Sequence, residues 1–352
     1  MTTVFDVTII GGGPAGLFSA FYSGLRGMST KLIEFQPFLG GKVNVYPEKV
    51  VWDVGGLPPV TGEKLIEQLI QQGLTFDPEV VLGEKVTSIA KGAGGHFELH
   101  TSSGQVHLSR TVILAIGGGI LKPTRLNLEG AERFEVSNLH YTVKSLARFR
   151  GKTVLISGGG NSAIDWAREL EPIASQVFLA YRKKELKGHE AEVARLAAST
   201  VHCLLNTEIE RLIASEEGDA IRRVALRNLD DNRQAELAVD EVVVCHGYER
   251  DKDLLANSEI RIAMKNEYAV DGTAMSETSV PGIFAAGDIL HHEGKLHLIA
   301  GAFHDAAGAV NRAKLYIAPE AEAYGMVSSH NEVFETRNRE LKRRLFQTAE
   351  PI

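Results

Sequence analysis

Short apolar runs that end in glycine recur along the chain and divide it. The run VTII (7–10) is rich in β-branched residues and too short for a helix, so it reads as a buried parallel strand. Three glycines follow, then apolar residues at helical spacing (Leu17, Ala20, Phe21, Leu25) and a second apolar strand ending at Glu34. Residues 62–73 predict a short helix. The stretches 79–92, 96–110 and 111–119 read as strands separated by turn residues. They interrupt the strand–helix alternation and predict a small antiparallel insertion in an α/β domain. The opening pattern then returns at 152–186, with a strand ending at Ile156, a glycine turn, a helix and a further strand. This internal duplication is the main architectural fact in the sequence. Residues 120–150 predict an irregular crossing with one short helix, 202–248 alternating strands and turns, 277–289 another apolar strand and 297–317 a helix.

The two copies carry the candidate chemistry. In the first, Gly11, Gly13 and Gly16 form G-x-G-x-x-G between a strand and a helix, the context in which that pattern binds a dinucleotide. Gly11 permits the tight turn, Gly13 lets a pyrophosphate approach the backbone, and Gly16 lets helix and strand pack closely. The helix amino terminus, entered through Pro14 and Ala15, offers free N–H donors to the phosphates. Glu34 stands where a carboxylate accepts the hydroxyls of an adenosine ribose.

In the second copy Gly158 and Gly160 take the same places, Ala163 replaces the third glycine, and Asn161 and Ser162 open the helix. Tyr181 occupies the position of Glu34, and Arg182, Lys183 and Lys184 follow at once. A carboxylate there would repel a 2′-phosphate, whereas a guanidinium holds one through charge-assisted bonds, so NADP(H) is expected over NAD(H). Near the end, IFAAGDI presents Asp288 to a polyol chain, ahead of a helix amino terminus able to stabilise negative charge.

Composition narrows the field. The 352 residues suffice for two domains, and a net charge of −7 gives no support to nucleic acid as a partner. No apolar run approaches the roughly 20 residues that span a bilayer. The first residues lack a basic segment followed by an apolar one, so no signal peptide is expected. Two cysteines, Cys203 and Cys245, lie in apolar strand patterns and read as small core residues in a reducing, cytoplasmic setting. Histidines 291 and 292 are adjacent, but no metal-ligand spacing is present, and most histidines read as surface residues. The loop 35–56 is long and shaped, with Tyr46 and Trp52 as its large aromatics; Trp52 reads as a loop anchor. The tail carries Arg337, Arg339, Lys342, Arg343 and Arg344 on an expected helix, a solvated face or a docking site for an acidic partner.

Taken together, GGGPAGLFSAFY, FLGGKVNVYPEK, GGGNSAIDWARELEP, AAGDI with EGKLHLIAGAF, and the carboxy-terminal extension resemble the thioredoxin-reductase-like type of ferredoxin–NADP+ reductase. Where thioredoxin reductase carries C-x-x-C, this chain reads NLHYTVKSLARFRGK, so a thiol relay is excluded there. The resemblance implies two Rossmann-like three-layer ββα domains, an NADPH domain (119–247) inserted into an FAD domain (1–118 and 248–352). It implies FAD contacts at Ala15, Glu34, Gly41, Lys42, Tyr46, Val86, Leu121 and Asp288. Tyr46 would stack on one face of the isoalloxazine and Ser329 or His330 would cover the other. Lys42 departs from the glutamine common in the family and adds a positive charge.

The implied reaction is hydride transfer from NADPH to flavin N5, followed by one-electron passage to ferredoxin or flavodoxin, in a homodimer. Domain rotation would use Gly117, Gly118, Gly119 and Gly247 as hinges. A single-cysteine disulfide reductase of the same architecture needs a cysteine where Ala15 stands. A flavin-based redox sensor has only the basic tail in its favour.

Overall fold

The computed structural model describes residues 3–119 and 121–347; the side chains of Leu121, Glu249, Arg250 and of 345–347 lie outside that set. The chain packs into two units. One comprises Met1–Asn44, Val50–Ile120 and Asp251–Ile352, the other Val45–Lys49 and Leu121–Arg250.

The first unit is built on parallel strands in the order Glu79–Leu82, Thr30–Glu34, Val4–Ile10, Val106–Leu114, with Ile283–Ala285 alongside the last. Alternation along each strand gives the sheet two apolar faces. Val7 and Ile9 face the helices Pro14–Leu25, Gly62–Gly73 and Ile299–Ile317, through Leu17, Leu65, Leu69 and Val310. Ile10, Ile33 and Val112 face the other way, onto Ile89, Phe97 and Leu99 of an antiparallel meander. The result is three layers.

Three expectations for this unit need correction. Residues 96–110 and 111–119 do not hold separate strands: Val106–Leu114 is one, parallel to Val4–Ile10 and antiparallel to Phe97–Thr101. No glycine or proline interrupts VHLSRTVIL, so nothing stops it. Glu79–Leu82 in turn belongs to the parallel sheet, paired with Thr30–Glu34, and not to the meander. Trp52, expected to anchor its loop, is instead 75% exposed.

The second unit repeats the plan with its layers in separate sheets. Five parallel strands run in the order Leu139–His140, Glu241–Val244, Thr153–Ser157, Gln176–Tyr181, His202–Leu205. Val154 and Ile156 pack on Ala163, Ile164, Ala167 and Leu170 of helix Asn161–Leu170. Leu155, Val242 and Val244 pack on Ile209, Val224 and Leu226 of the meander Thr207–Ala214, Ile221–Asn228, Gln234–Ala238. Buried Asn138 ties sheet to meander: its Nδ2 donates to the Ile221 and Asp240 carbonyls, and its Oδ1 accepts from Ile221 N–H.

Among the described residues, 121–150 hold no α-helix but two 3₁₀ turns, Ala131–Phe134 and Leu146–Phe149. Each delivers one buried phenylalanine, Phe134 to the meander side and Phe149 to the helix side. The crossing segments Leu121–Pro123 and Tyr248–Arg250 pair antiparallel. Beside them Gly117, Gly119 and Gly247 hold φ of +57°, +90° and +90°, values that favour glycine. Cys203 is exposed on the outermost parallel strand, not a core residue as its pattern suggested. Glu241 is 2% exposed and meets His140 Nε2 at 2.6 Å, Lys152 Nζ, and Arg148 Nε at 3.4 Å. Burial pushes its carboxyl upward, but the hydrogen bonds from His140 and Lys152 outweigh that and hold it below the usual glutamate value.

Candidate functional site: two glycine turns

The first turn joins Val4–Ile10 to Pro14–Leu25. Gly11 holds φ +106°, and a Cβ there would lie 2.5 Å from the Ala115 carbonyl oxygen, so only glycine fits. A Cβ on Gly16 would lie 1.8 Å from the Gly11 oxygen, which is how closely helix and strand approach. Gly13 caps the helix with no side-chain cap, and no acid stands in the first turn. The leading N–H groups, among them that of Ala15, therefore open onto space that a Cβ at Gly13 would enter unopposed except by Gly41 Cα at 3.6 Å. This is the cradle that a pyrophosphate requires.

Gly41, at φ +58°, approaches so closely that its own Cβ would lie 2.7 Å from Gly13 Cα. Asn44 Nδ2 donates to the carbonyls of Leu39 (3.0 Å) and Gly41 (3.1 Å) and folds this second loop. Lys42 is exposed on it.

Glu34 is already at work within the protein. Its Oε2 accepts from Gly12 N–H at 2.6 Å and its Oε1 from Gln36 N–H at 2.8 Å. A carboxylate has about four acceptor positions, so two remain for ribose hydroxyls while one fixes the turn at Gly12 and one the chain just after the strand at Gln36. Val86 is 5% exposed in the meander core, which leaves only its backbone for a ligand. The Leu121 side chain lies outside the described residues. Asp288 is exposed, one residue beyond Gly287, which rests on Ala15: a Cβ on Gly287 would lie 3.0 Å from Ala15 Cβ.

Tyr46 is half-buried, and its segment Val45–Lys49 clusters with the second unit. There Lys49 pairs with Asp165 and Glu169, each at 3.3 Å, over the Trp166 ring. Ser329 and His330 are exposed in the turn Ser328–His330, between two anchors. Gly325 N–H donates to Tyr22 Oη at 3.2 Å, and Phe334 packs on Phe21 and Phe76. Tyr22 lies eight residues into its helix, about 12 Å along the axis from the phosphate turn at 1.5 Å per residue. In one copy of the chain the tail is thus held at the end of that helix away from the glycines.

The second turn joins Thr153–Ser157 to Asn161–Leu170. A Cβ on Gly158 would lie 2.5 Å from the Cys245 carbonyl oxygen. Gly160 caps its helix without a side-chain cap, and nothing lies within 4 Å of where its Cβ would be. Gly159 meets Tyr181 as Gly12 meets Glu34, with a Cβ there 2.3 Å from the ring. Lys187 N–H donates to the Gly159 carbonyl at 2.6 Å, and Asn161 Oδ1 accepts from His189 N–H at 2.9 Å, which draws the loop 183–189 over the turn. Ser162 is exposed.

This loop brings Lys187 to Lys183, a residue the sequence reading left out. The Lys187 ammonium, with a smaller push from Arg182, holds Lys183 below the usual lysine value. Among the described residues no acid pairs with Arg182, Lys183 or Lys187, whereas Lys184 turns to Asp230 at 3.6 Å. Three cations gathered against their own repulsion suit a dianion. His246 hydrogen-bonds Ser157 Oγ at 2.8 Å; burial, then the Arg182 charge, lowers its pKa, so it stays neutral at pH 7.

Two dinucleotide turns of opposite electrostatic character, each on a Rossmann-like layer structure, define a two-nucleotide oxidoreductase. A family model described as pyridine nucleotide-disulphide oxidoreductase matches residues 5–307. A ferredoxin–NADP reductase 1 of Bacillus licheniformis is 64% identical over 343 residues, 97% of this chain and 98% of the relative. A ferredoxin–NADP reductase 2 of Exiguobacterium sibiricum is 62% identical, covering 96% of each. Thioredoxin reductase of Lactococcus lactis shares the fold, with TM-score 0.71 at 22% identity over 90% of this chain and 99% of that one. The chain belongs to the pyridine nucleotide-disulphide oxidoreductase family, in its thioredoxin-reductase-like ferredoxin–NADP reductase branch.

Proposed function

We propose that the first glycine turn holds FAD, the second holds NADPH, and the chain moves electrons between NADPH and ferredoxin. The observation that carries this reading is the pair of uncapped glycine turns, one closed by Glu34 and the other flanked by Arg182, Lys183 and Lys187. The enzyme is a ferredoxin–NADP reductase, as its relatives at 62–64% identity are named, and uses FAD and NADPH. FAD, when bound, supplies the exchange between a two-electron nicotinamide and a one-electron carrier. The protein contributes position and charge. Gly13, Ala15 and Gly16 present backbone donors to the FAD pyrophosphate, Pro14 presets the first helical turn, and Glu34 accepts the ribose hydroxyls while fixing Gly12. Gly41 closes the cradle, Lys42 adds a positive charge at its rim, and Val86 serves through its backbone. Leu121, Tyr46 and either Ser329 or His330 complete the flavin surroundings, and Asp288 takes the ribityl chain.

On the other side, Gly158, Gly160, Asn161 and Ser162 take the NADPH pyrophosphate, and the three cations hold its 2′-phosphate. The carrier is ferredoxin, with flavodoxin as a second acceptor. A homodimer would cover the apolar side chains left in solvent on the tail (Tyr324, 67% exposed, Met326 and Val327) and before helix Ile299–Ile317 (Leu296 and Leu298). Among the described residues no helix is long and apolar enough to cross a membrane. Two free cysteines fit a cytoplasmic setting. The purified protein should be yellow, bleach with NADPH at far lower concentration than with NADH, and reduce cytochrome c only when ferredoxin is added. Colourless protein that flavin cannot reconstitute, or ferredoxin-independent turnover, rejects the reading.

A further inference from the structure

The geometry points to Lys295 and Asp305 as positioning residues: a buried charged clamp that sets Asp288 toward FAD. The strand Ile283–Ala285 runs into the tight turn Gly287–Ile289, whose first residue holds φ +78° against Ala15. Two charged side chains grip that one residue. Gly287 N–H donates to Asp305 Oδ2 at 3.0 Å, and its carbonyl accepts from Lys295 Nζ at 2.9 Å. Lys295 also closes directly on Asp305 Oδ2, and His292 Nε2 stands 3.4 Å from Oδ1. The side chains of Lys295, Asp305 and His292 are 4%, 3% and 8% exposed.

Burying an ion pair is a poor way to add stability, since well-packed apolar residues of similar volume often hold a fold as well or better. What this pair does that apolar residues could not is hold both hydrogen-bonding groups of Gly287 at once. A trans peptide sets the Gly287 carbonyl and the Asp288 N–H antiparallel, so a carbonyl drawn toward Lys295 turns that N–H away from it. Asp288 itself is exposed while Gly287 and Ile289 are buried. The clamp therefore fixes a backbone donor and a carboxylate immediately beside the amino terminus of helix Pro14–Leu25. The inference rests on the assignment of that turn and Asp288 to FAD.

The test is the FAD dissociation constant of apoprotein, followed by flavin fluorescence, for Asp288→Ala, Lys295→Met and the double variant, with apoprotein melting recorded in parallel. Each single change should weaken FAD about tenfold to a hundredfold, the scale of losing hydrogen bonds that involve a charged group. The double should be no weaker than the weaker single, because Lys295 acts through Asp288. Lys295→Arg should recover most of the affinity. An unchanged constant in Lys295→Met, or its full effect repeated on top of Asp288→Ala, overturns the clamp alone. An unchanged constant in Asp288→Ala instead overturns the FAD assignment. Should Lys295→Met fail to fold, Asp305→Glu keeps both charges, lengthens one arm and carries the same comparison with the same outcomes.

Discussion

The two glycine turns share a backbone and differ in what closes them. Gly11 N–H donates to the Ile33 carbonyl at 2.8 Å, and Gly158 N–H to the Ala180 carbonyl at 2.9 Å. Ala115 N–H donates to Ile10 and Cys245 N–H to Ser157, at 2.8 and 2.7 Å. The scaffold of three parallel strands and a glycine-capped helix was thus kept in both copies. Over that scaffold one turn is pinned by a carboxylate that accepts the Gly12 N–H, the other is covered by a tyrosine ring and a lysine-bearing loop. On the proposed assignment, nucleotide choice is carried by the last residue of the second strand and by the loop beyond it, because the turns themselves offer the same donors to any pyrophosphate.

The comparison breaks most sharply at the third glycine. Gly16→Ala forces a Cβ into the Gly11 carbonyl and should destabilise the first unit by about 3 kcal/mol or more, with loss of FAD visible in the absorption spectrum and in calorimetry. The second copy already carries Ala163 there, fully buried, so Ala163→Gly should leave the flavin spectrum intact. Next in size, removing Arg182, Lys183 and Lys187 together should raise KM for NADPH about a hundredfold and leave KM for NADH near its starting value, measured by steady-state kinetics. Equal damage to both coenzymes would refute the 2′-phosphate assignment.

Glu34→Gln removes one of two carboxylate acceptors and should weaken FAD binding about tenfold without affecting NADPH. Acid should act on the second unit through Glu241, whose folded-state pKa is depressed. Its stabilising contribution is present above the ordinary glutamate range and is lost as pH falls through and below it. Glu241→Gln should therefore lower the melting temperature at neutral pH and flatten its fall between pH 5 and pH 3, a range set by the usual carboxylate pKa of about 4.3. The smallest effect is expected at Cys245, the counterpart of Ala115, where burial pushes the thiol up to about 12. Cys245→Ala should change KM for NADPH less than about twofold, and the native thiol should resist alkylation at pH 8 while Cys203 reacts first.

Much of this was legible in the chain itself. Spacing and context marked both turns, Glu34 and the basic residues after Tyr181, because those depend on local backbone and on strand register. The helix expected at 62–73 falls on Gly62–Gly73, where an amphipathic pattern coincides with a Thr61 cap whose Oγ1 accepts from Lys64 N–H at 3.3 Å. Lys187 escaped because it reaches the turn through a loop whose path is set by Gly159 and Asn161. Asp305 could have been found: it lies four residues from both Gly301 and Ala309 on the buried face of Ile299–Ile317, a place where an unpaired acid is not tolerated. His292, its partner, is buried for the same reason and not a surface residue. Trp52 and Cys203 were misplaced because hydrophobicity alone does not say which loop or edge strand another element covers.

The unbroken strand Val106–Leu114 has a consequence for how each half of the molecule loosens. In the first unit it stitches the layers into one sheet, so its amides should exchange with solvent only when that whole unit opens. In the second, the three-stranded meander is a sheet of its own, joined to the parallel strands by side chains and the Asn138 bridge. Hydrogen exchange should find that meander detaching as a separate cooperative piece, at lower free energy, while the parallel strands beneath the second glycine turn stay protected.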